Sequence, residues 1–129
     1  VLLVISTVLA QGTGPKLLIR AQPSPPNIYD TLVWVELPSR AEIIASLKRT
    51  TKKACRNYPH YCLQFTNDGT AANYVLIFSE GGERTYTVEI YNNEEDLIAT
   101  LSTYYFDNLA KDVANFVAYD LTRYEGVED

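Results

Sequence analysis

The chain contains no methionine, one histidine, one tryptophan and two cysteines in 129 residues. Each scarcity excludes a class of chemistry. Two cysteines and one histidine fall short of the four protein ligands that a structural zinc site takes. A lone histidine cannot make the His-Glu-x-x-His pair, and Gly-x-Ser-x-Gly, the P-loop and the EF-hand pattern are missing as well. No Asn-x-Ser/Thr sequon occurs, so N-glycosylation is not expected. No apolar run approaches the ~20 residues needed to span a bilayer, so stable membrane insertion is not expected. No internal repeat or low-complexity tract is visible. With no catalytic constellation, no catalytic residue is assigned, no cofactor or metal is expected, and a non-enzymatic role is favoured over an enzyme.

What is present begins with VLLVISTVLA, residues 1–10, uncharged and nearly all apolar. It reads as the h-region and cleavage site of a secretory signal without its basic n-region, cut after Ala10. Residues 11–29 read as an extended, Pro-rich segment, because Pro23, Pro25 and Pro26 fix φ and remove donors. Residues 30–129 read as one α+β domain. A secreted, extracellular location makes a disulfide between Cys55 and Cys62 the expected state of the cysteines. It would tie a helix end to the next strand, with Cα atoms about 5–6 Å apart.

Periodicity supplies the elements. KLLIR, 16–20, is a short strand, and TLVWVEL, 31–37, is an interior strand. Pro38 stops it, and Ser39 with Glu42 makes a capping box that opens a helix running to about Arg56. Ile43, Leu47, Thr51 and Ala54 share one side of this helix. Residues 61–66 alternate, with Tyr61, Leu63 and Phe65 on one side. NDGT and EGGE mark turns, and 73–79 and 85–91 complete an antiparallel meander in which Tyr86, Val88 and Ile90 point inward.

From Asn92 onward the pattern reads as helical. Asn93 with Glu94, Glu95 and Asp96 resembles a cap followed by acids in the first turn. Leu97, Ile98, Leu101, Tyr104 and Tyr105 share one face, while Leu109, Val113, Phe116 and Val117 centre further round. That shift predicts a kink or break at 106–108. The expected fold is therefore α+β, with a largely antiparallel four- to five-stranded sheet, one long helix after the first core strand and a kinked or broken C-terminal helix, in the order (β)-β-α-β-β-β-α(-α). A strand, a long helix and a meander in this order is similar to cystatin-like domains and to many other folds. The Gln-x-Val-x-Gly loop that carries protease inhibition in that family is absent here, so the likeness implies no function.

The net charge of −5 hides a segregation. Lys48, Arg49, Lys52, Lys53 and Arg56 cluster on the outer side of the first helix, while the acids concentrate beyond residue 89. The basic cluster is the candidate binding site, suited to an acidic protein or a sulfated glycan. The plain competing reading is a solvated helix face. An acidic chain without aromatics between those cations does not suit nucleic acid. His60, beside Pro59, reads as a loop residue with no sequence partner for general-base work. Ten tyrosines are present. Tyr61, Tyr74 and Tyr86 suit sheet packing, whereas Tyr104, Tyr105, Tyr119 and Tyr124 are freer to face a partner or a ligand. The resulting expectation is a secreted binding protein, the alternative being a small carrier that holds an apolar ligand between sheet and helices.

Overall fold

In a computed structural model of the chain, the structure describes residues 14–22, 37–80 and 85–126. The leader, most of the Pro-rich segment, the expected strand at 31–37 apart from Leu37, and most of the EGGE turn lie outside them. The elements run β1 Lys16–Gln22, α1 Arg40–Cys55, a 3-10 turn Pro59–Tyr61, β2 Gln64–Phe65, β3 Tyr74–Glu80, β4 Tyr86–Asn92, β5 Leu97–Thr103 and α2 Phe106–Gly126. Among the described residues the architecture is mixed α+β, a five-stranded sheet with two helices, in the strand order β2-β1-β3-β4-β5.

The helix at 40–55 forms for the reason its sequence gives. The Ser39 hydroxyl accepts from the Glu42 amide at 3.2 Å, and the Glu42 carboxylate accepts from the Ser39 amide at 3.3 Å, so both halves of the capping box are made. Ile43 and Leu47 are fully buried on its inner side, and Thr51 is buried with its hydroxyl donating to the Leu47 carbonyl at 2.8 Å. Arg40 turns inward and donates to the Ile19 carbonyl at 3.0 Å, pinning the start of α1 to β1.

β1 lies inside the sheet, second from one edge and parallel to both β2 and β3. The expected hairpin between 61–66 and 73–79 is therefore not formed. Instead β1 stands between them, and Phe65 and Tyr74 both register on Leu17 from opposite sides. Residues 66–73 carry the chain across β1, with Gly69 against Leu18. The strand expected at 61–66 is reduced to two residues, because Pro59 starts a 3-10 turn that takes in Tyr61. Gly14, just before β1, lies so close to the Cys62 carbonyl that a Cβ there would sit 1.7 Å from the oxygen. No larger residue fits at that position without moving backbone.

The meander is β3-β4-β5, antiparallel throughout, so the sheet is mixed and not antiparallel across its width. The helical reading of 92–105 is overturned. Asn92 to Asp96 form a turn in which the Asn92 side chain accepts from the amides of Glu94 and Asp96 at 2.9 and 3.0 Å. Glu95 takes φ 67°, the left-handed conformation that closes this type of hairpin. Residues 97–103 then form a strand, and α2 is a single helix that begins at Phe106, where the kink was expected.

Both helices share one core with the same side of the sheet. Leu17, Leu76, Phe78, Val88 and Ile90 meet Ile43 and Leu47 of α1 and Leu109, Val113 and Val117 of α2. Alternate positions, Leu18, Val75, Ile77 and Tyr91, lie on the sheet's other side.

Candidate functional site

The five cations of the sequence reading stand together on the outer side of α1. Lys48, Arg49, Lys52 and Lys53 are exposed along its second half, and Arg56 is exposed at its C-cap. Their placement follows from burial of Ile43, Leu47 and Thr51, which turns the opposite side to solvent. The last turn is also where the helix dipole stabilises positive charge.

The cations differ in their surroundings. Arg49 pairs with Asp107 at the start of α2, 3.3 Å away, and both side chains are largely exposed. Lys48 lies over the ring of Phe65, 5.7 Å from its centroid. That aromatic was not visible as part of the cluster in the sequence, because the helix-to-β2 connection separates the two residues. Lys52, Lys53 and Arg56 form no ion pair among the described residues. The patch therefore keeps most of its charge available, in a chain that is acidic overall.

The patch ends in a disulfide. Cys55 and Cys62 are bonded, with Cα atoms 4.7 Å apart, a little closer than the expected spacing. The bond anchors the end of α1 to the strand connection and holds Tyr58, Pro59 and His60 in a short loop. Tyr58 is exposed and meets Tyr61 edge-on at 6.3 Å. The Tyr61 hydroxyl donates to Asn115 of α2 at 2.9 Å. Tyr61 therefore packs between the helices and not on the sheet. His60 is half-buried in this loop.

Between the helices, beside the patch, runs a groove of about 440 Å³ lined by Thr50, Ala54, Tyr58, Tyr61, Lys111 and Asn115. Lys111 adds a cation that the sequence places far from the others, and only the packing of α2 on α1 brings it to this wall. A second groove, about 590 Å³, lies on the side of the sheet away from α1 and α2. Its floor is Leu18, Val75, Ile77 and Tyr91, with Arg20 and Glu95 at its margin. The helix-facing side is packed full, since Leu76, Phe78, Val88, Ile90, Leu109, Val113 and Val117 have no exposed surface.

Two carboxylates are held by the fold without forming a reactive pair. Asp120 of α2 is buried, accepts from the Tyr74 hydroxyl at 2.5 Å and pairs with Arg123 at 3.1 Å. This joins α2 to β3 with the carboxylate satisfied. Asp68 accepts from the Thr70 hydroxyl at 2.7 Å and the Thr70 amide at 2.9 Å, and these bonds hold its carboxyl below the ordinary value. Neither carboxylate stands within a described cluster of three potential metal ligands, and none occurs among the described residues. No helix among them is long and apolar enough to cross a membrane.

Comparison with family models, with curated proteins and with solved structures finds no match to this chain.

Proposed function

We propose that the chain is a secreted, non-enzymatic interaction protein whose domain docks an anionic partner, an acidic protein surface or a sulfated glycan, on the outer side of α1. The observation that carries this reading is the exposed group Lys48, Arg49, Lys52, Lys53 and Arg56, of which only Arg49 has an ion-pair partner among the described residues. Five like charges on one wall raise the local potential by several kT and attract anions over a Debye length. The Cys55–Cys62 bond supports the extracellular part of the reading, since such bonds persist in oxidising compartments. Binding of this kind rests on field more than on a shaped pocket, so it weakens steeply with salt.

The test is retention on a heparin column at low salt. Wild type is retained and elutes as salt rises. The triple variant Lys48→Glu, Lys52→Glu, Lys53→Glu elutes in the void while keeping its fold, because exposed substitutions usually cost within about 0.5 kcal/mol each. Equal elution of the two proteins leaves the patch as solvated surface.

A second reading, the carrier of a small apolar ligand, draws on the groove with the Leu18, Val75, Ile77 and Tyr91 floor. That groove lies on the side of the sheet away from α1 and α2, not in the filled space between sheet and helices. A bound apolar molecule in native mass spectra of the protein from its source would favour it.

A further inference from the structure

Among the described residues β5 is the last strand on its side of the sheet, paired only with β4. Among the described residues no backbone hydrogen bond reaches its outer edge. Such edges are ordinarily guarded by charge, proline or short length. The opposite edge follows that rule, because β2 has only two residues. β5 does not follow it. Its sequence, LIATLST, carries no charge and no proline, and its seven residues match β3 and β4 in length. A register irregularity falls at the Leu97 end, opposite Ile90 and Tyr91, and leaves Ala99 to Thr103 in regular pairing.

Two further observations bear on the same edge. Val88 and Ile90 of β4 are fully buried, but Leu101 and Ala99, their neighbours in register on β5, are only half-buried. The apolar layer thus runs out to the edge, where no other described strand continues it. In addition, three large apolar side chains flank the strand in the open: Leu97 at its start, 50% exposed, and Tyr104 and Tyr105 just past its end, 64% and 70% exposed.

We propose that β5 is a self-association surface, on which two copies of this chain pair β5 against β5, antiparallel across a two-fold axis, so that one sheet runs through both. The two ends of the strand argue for a second copy as the occupant. A two-fold antiparallel pair sets the start of each strand beside the end of the other. With the axis at Thr100 or at Leu101, Leu97 of each copy lies beside residues 103–105 of the other, where Tyr104 and Tyr105 are exposed. The surface is therefore complementary to itself. An uncharged strand also meets its own copy without like-charge repulsion, and paired threonines are a favourable cross-strand match.

Thr100 is exposed at the centre of β5, which makes it the place to test the pairing. Sedimentation velocity of the full chain across a wide concentration range is expected to show a shift from monomer to twice the monomer mass. Thr100→Lys and Thr100→Glu each set like charges against each other across the axis and weaken association by about tenfold or more. An equimolar mixture of the two variants recovers the dimer, because opposite charges then face each other, and this recovery is a result that general destabilisation would not give. If either variant loses its far-UV circular dichroism, Leu97→Ser at the exposed strand start carries the same expectation of weakened association. A wild type that stays monomeric at every concentration overturns the proposal, including the case in which the edge serves an extended peptide of another chain. Thr100→Lys and Thr100→Glu proteins that dimerise as tightly as wild type, or a mixture that recovers nothing, also overturn it.

Discussion

Along the outer side of α1 the backbone is satisfied within the helix, and what solvent meets is charge on long side chains. Along the outer edge of β5 the side chains are neutral, and no described residue bonds to its backbone there. The two surfaces belong to one small sheet-and-helix layer, yet they select opposite kinds of contact. A cationic helix side acts at a distance, tolerates many partner geometries and is weakened by salt. An open strand edge acts only at hydrogen-bonding range and demands register. With a net charge of −5 on each copy, salt also screens the repulsion between copies, so association through β5 should tighten under conditions that release an anion from α1.

The largest way to break the comparison is from underneath α1. The outer side of that helix is a surface only because its inner side is core. Leu47→Ala at a fully buried position should therefore cost about 2–5 kcal/mol in urea denaturation. Lys52→Ala, one turn away and exposed, should change stability by under about 0.5 kcal/mol. A Leu47 variant as stable as the Lys52 variant would mean that the faces of α1 have been assigned the wrong way round.

A smaller effect sharpens the β5 side. Glu95, in the turn that feeds β5, holds φ 67°, which costs a residue with a Cβ but not glycine. Glu95→Gly should raise stability by about 0.5–1 kcal/mol after the added freedom of the unfolded chain is set against the relieved strain. Thermal unfolding checks it, and a lowered midpoint would place the turn in another conformation.

The smallest effect concerns the loop that crosses β1. Asp68 has its carboxyl held below the ordinary value of 3.8, first by the Thr70 hydroxyl and then by the Thr70 amide. A depressed carboxyl stabilises the fold at pH above its ordinary value, and that contribution is lost as pH falls through the depressed one. Neutral and mildly acidic solutions should therefore show no change from this group. Thr70→Val should move its titration upward in an NMR pH series, toward the ordinary value. An unmoved titration would show that the amide alone sets it.

Legibility in the sequence followed the length and strength of each local signal. α1 was readable to within a residue at each end, because the Ser39–Glu42 box, the Ile43–Leu47–Thr51 spacing and the late cations all agree. Val88 and Ile90 were readable as inward from strict alternation, and Cys55–Cys62 from their number and spacing. β5 was not readable, for a physical reason. Asn92, Asn93, Glu94, Glu95 and Asp96 are the residues of a helix start and equally of a turn held by an asparagine side chain. The short run after them fits a helical face as well as a strand. One signal did point the right way. The apolar stripe shifts between Leu101 and Leu109, and the shift marks the junction from strand to helix at Phe106, not a bend within one helix. Of the candidate site, the five cations were legible. Phe65 beneath Lys48 and Lys111 across the groove were not, since each comes from an element distant in sequence.

Patterns set within a few turns of chain were determined by the sequence alone: the capped, two-sided helix at 40–55, the charge on its outer side, the inward residues of β4, and the pairing of the only two cysteines. Each depends on contacts between near neighbours or on one side chain's preference for water. The neighbours of β1 were decided only in three dimensions. So were the mixed direction of the sheet, the meeting of α1 with α2, and the open edge of β5. A strand carries its periodicity in its own residues, but its partners are chosen by which apolar faces can be buried together, and that choice involves the whole chain at once.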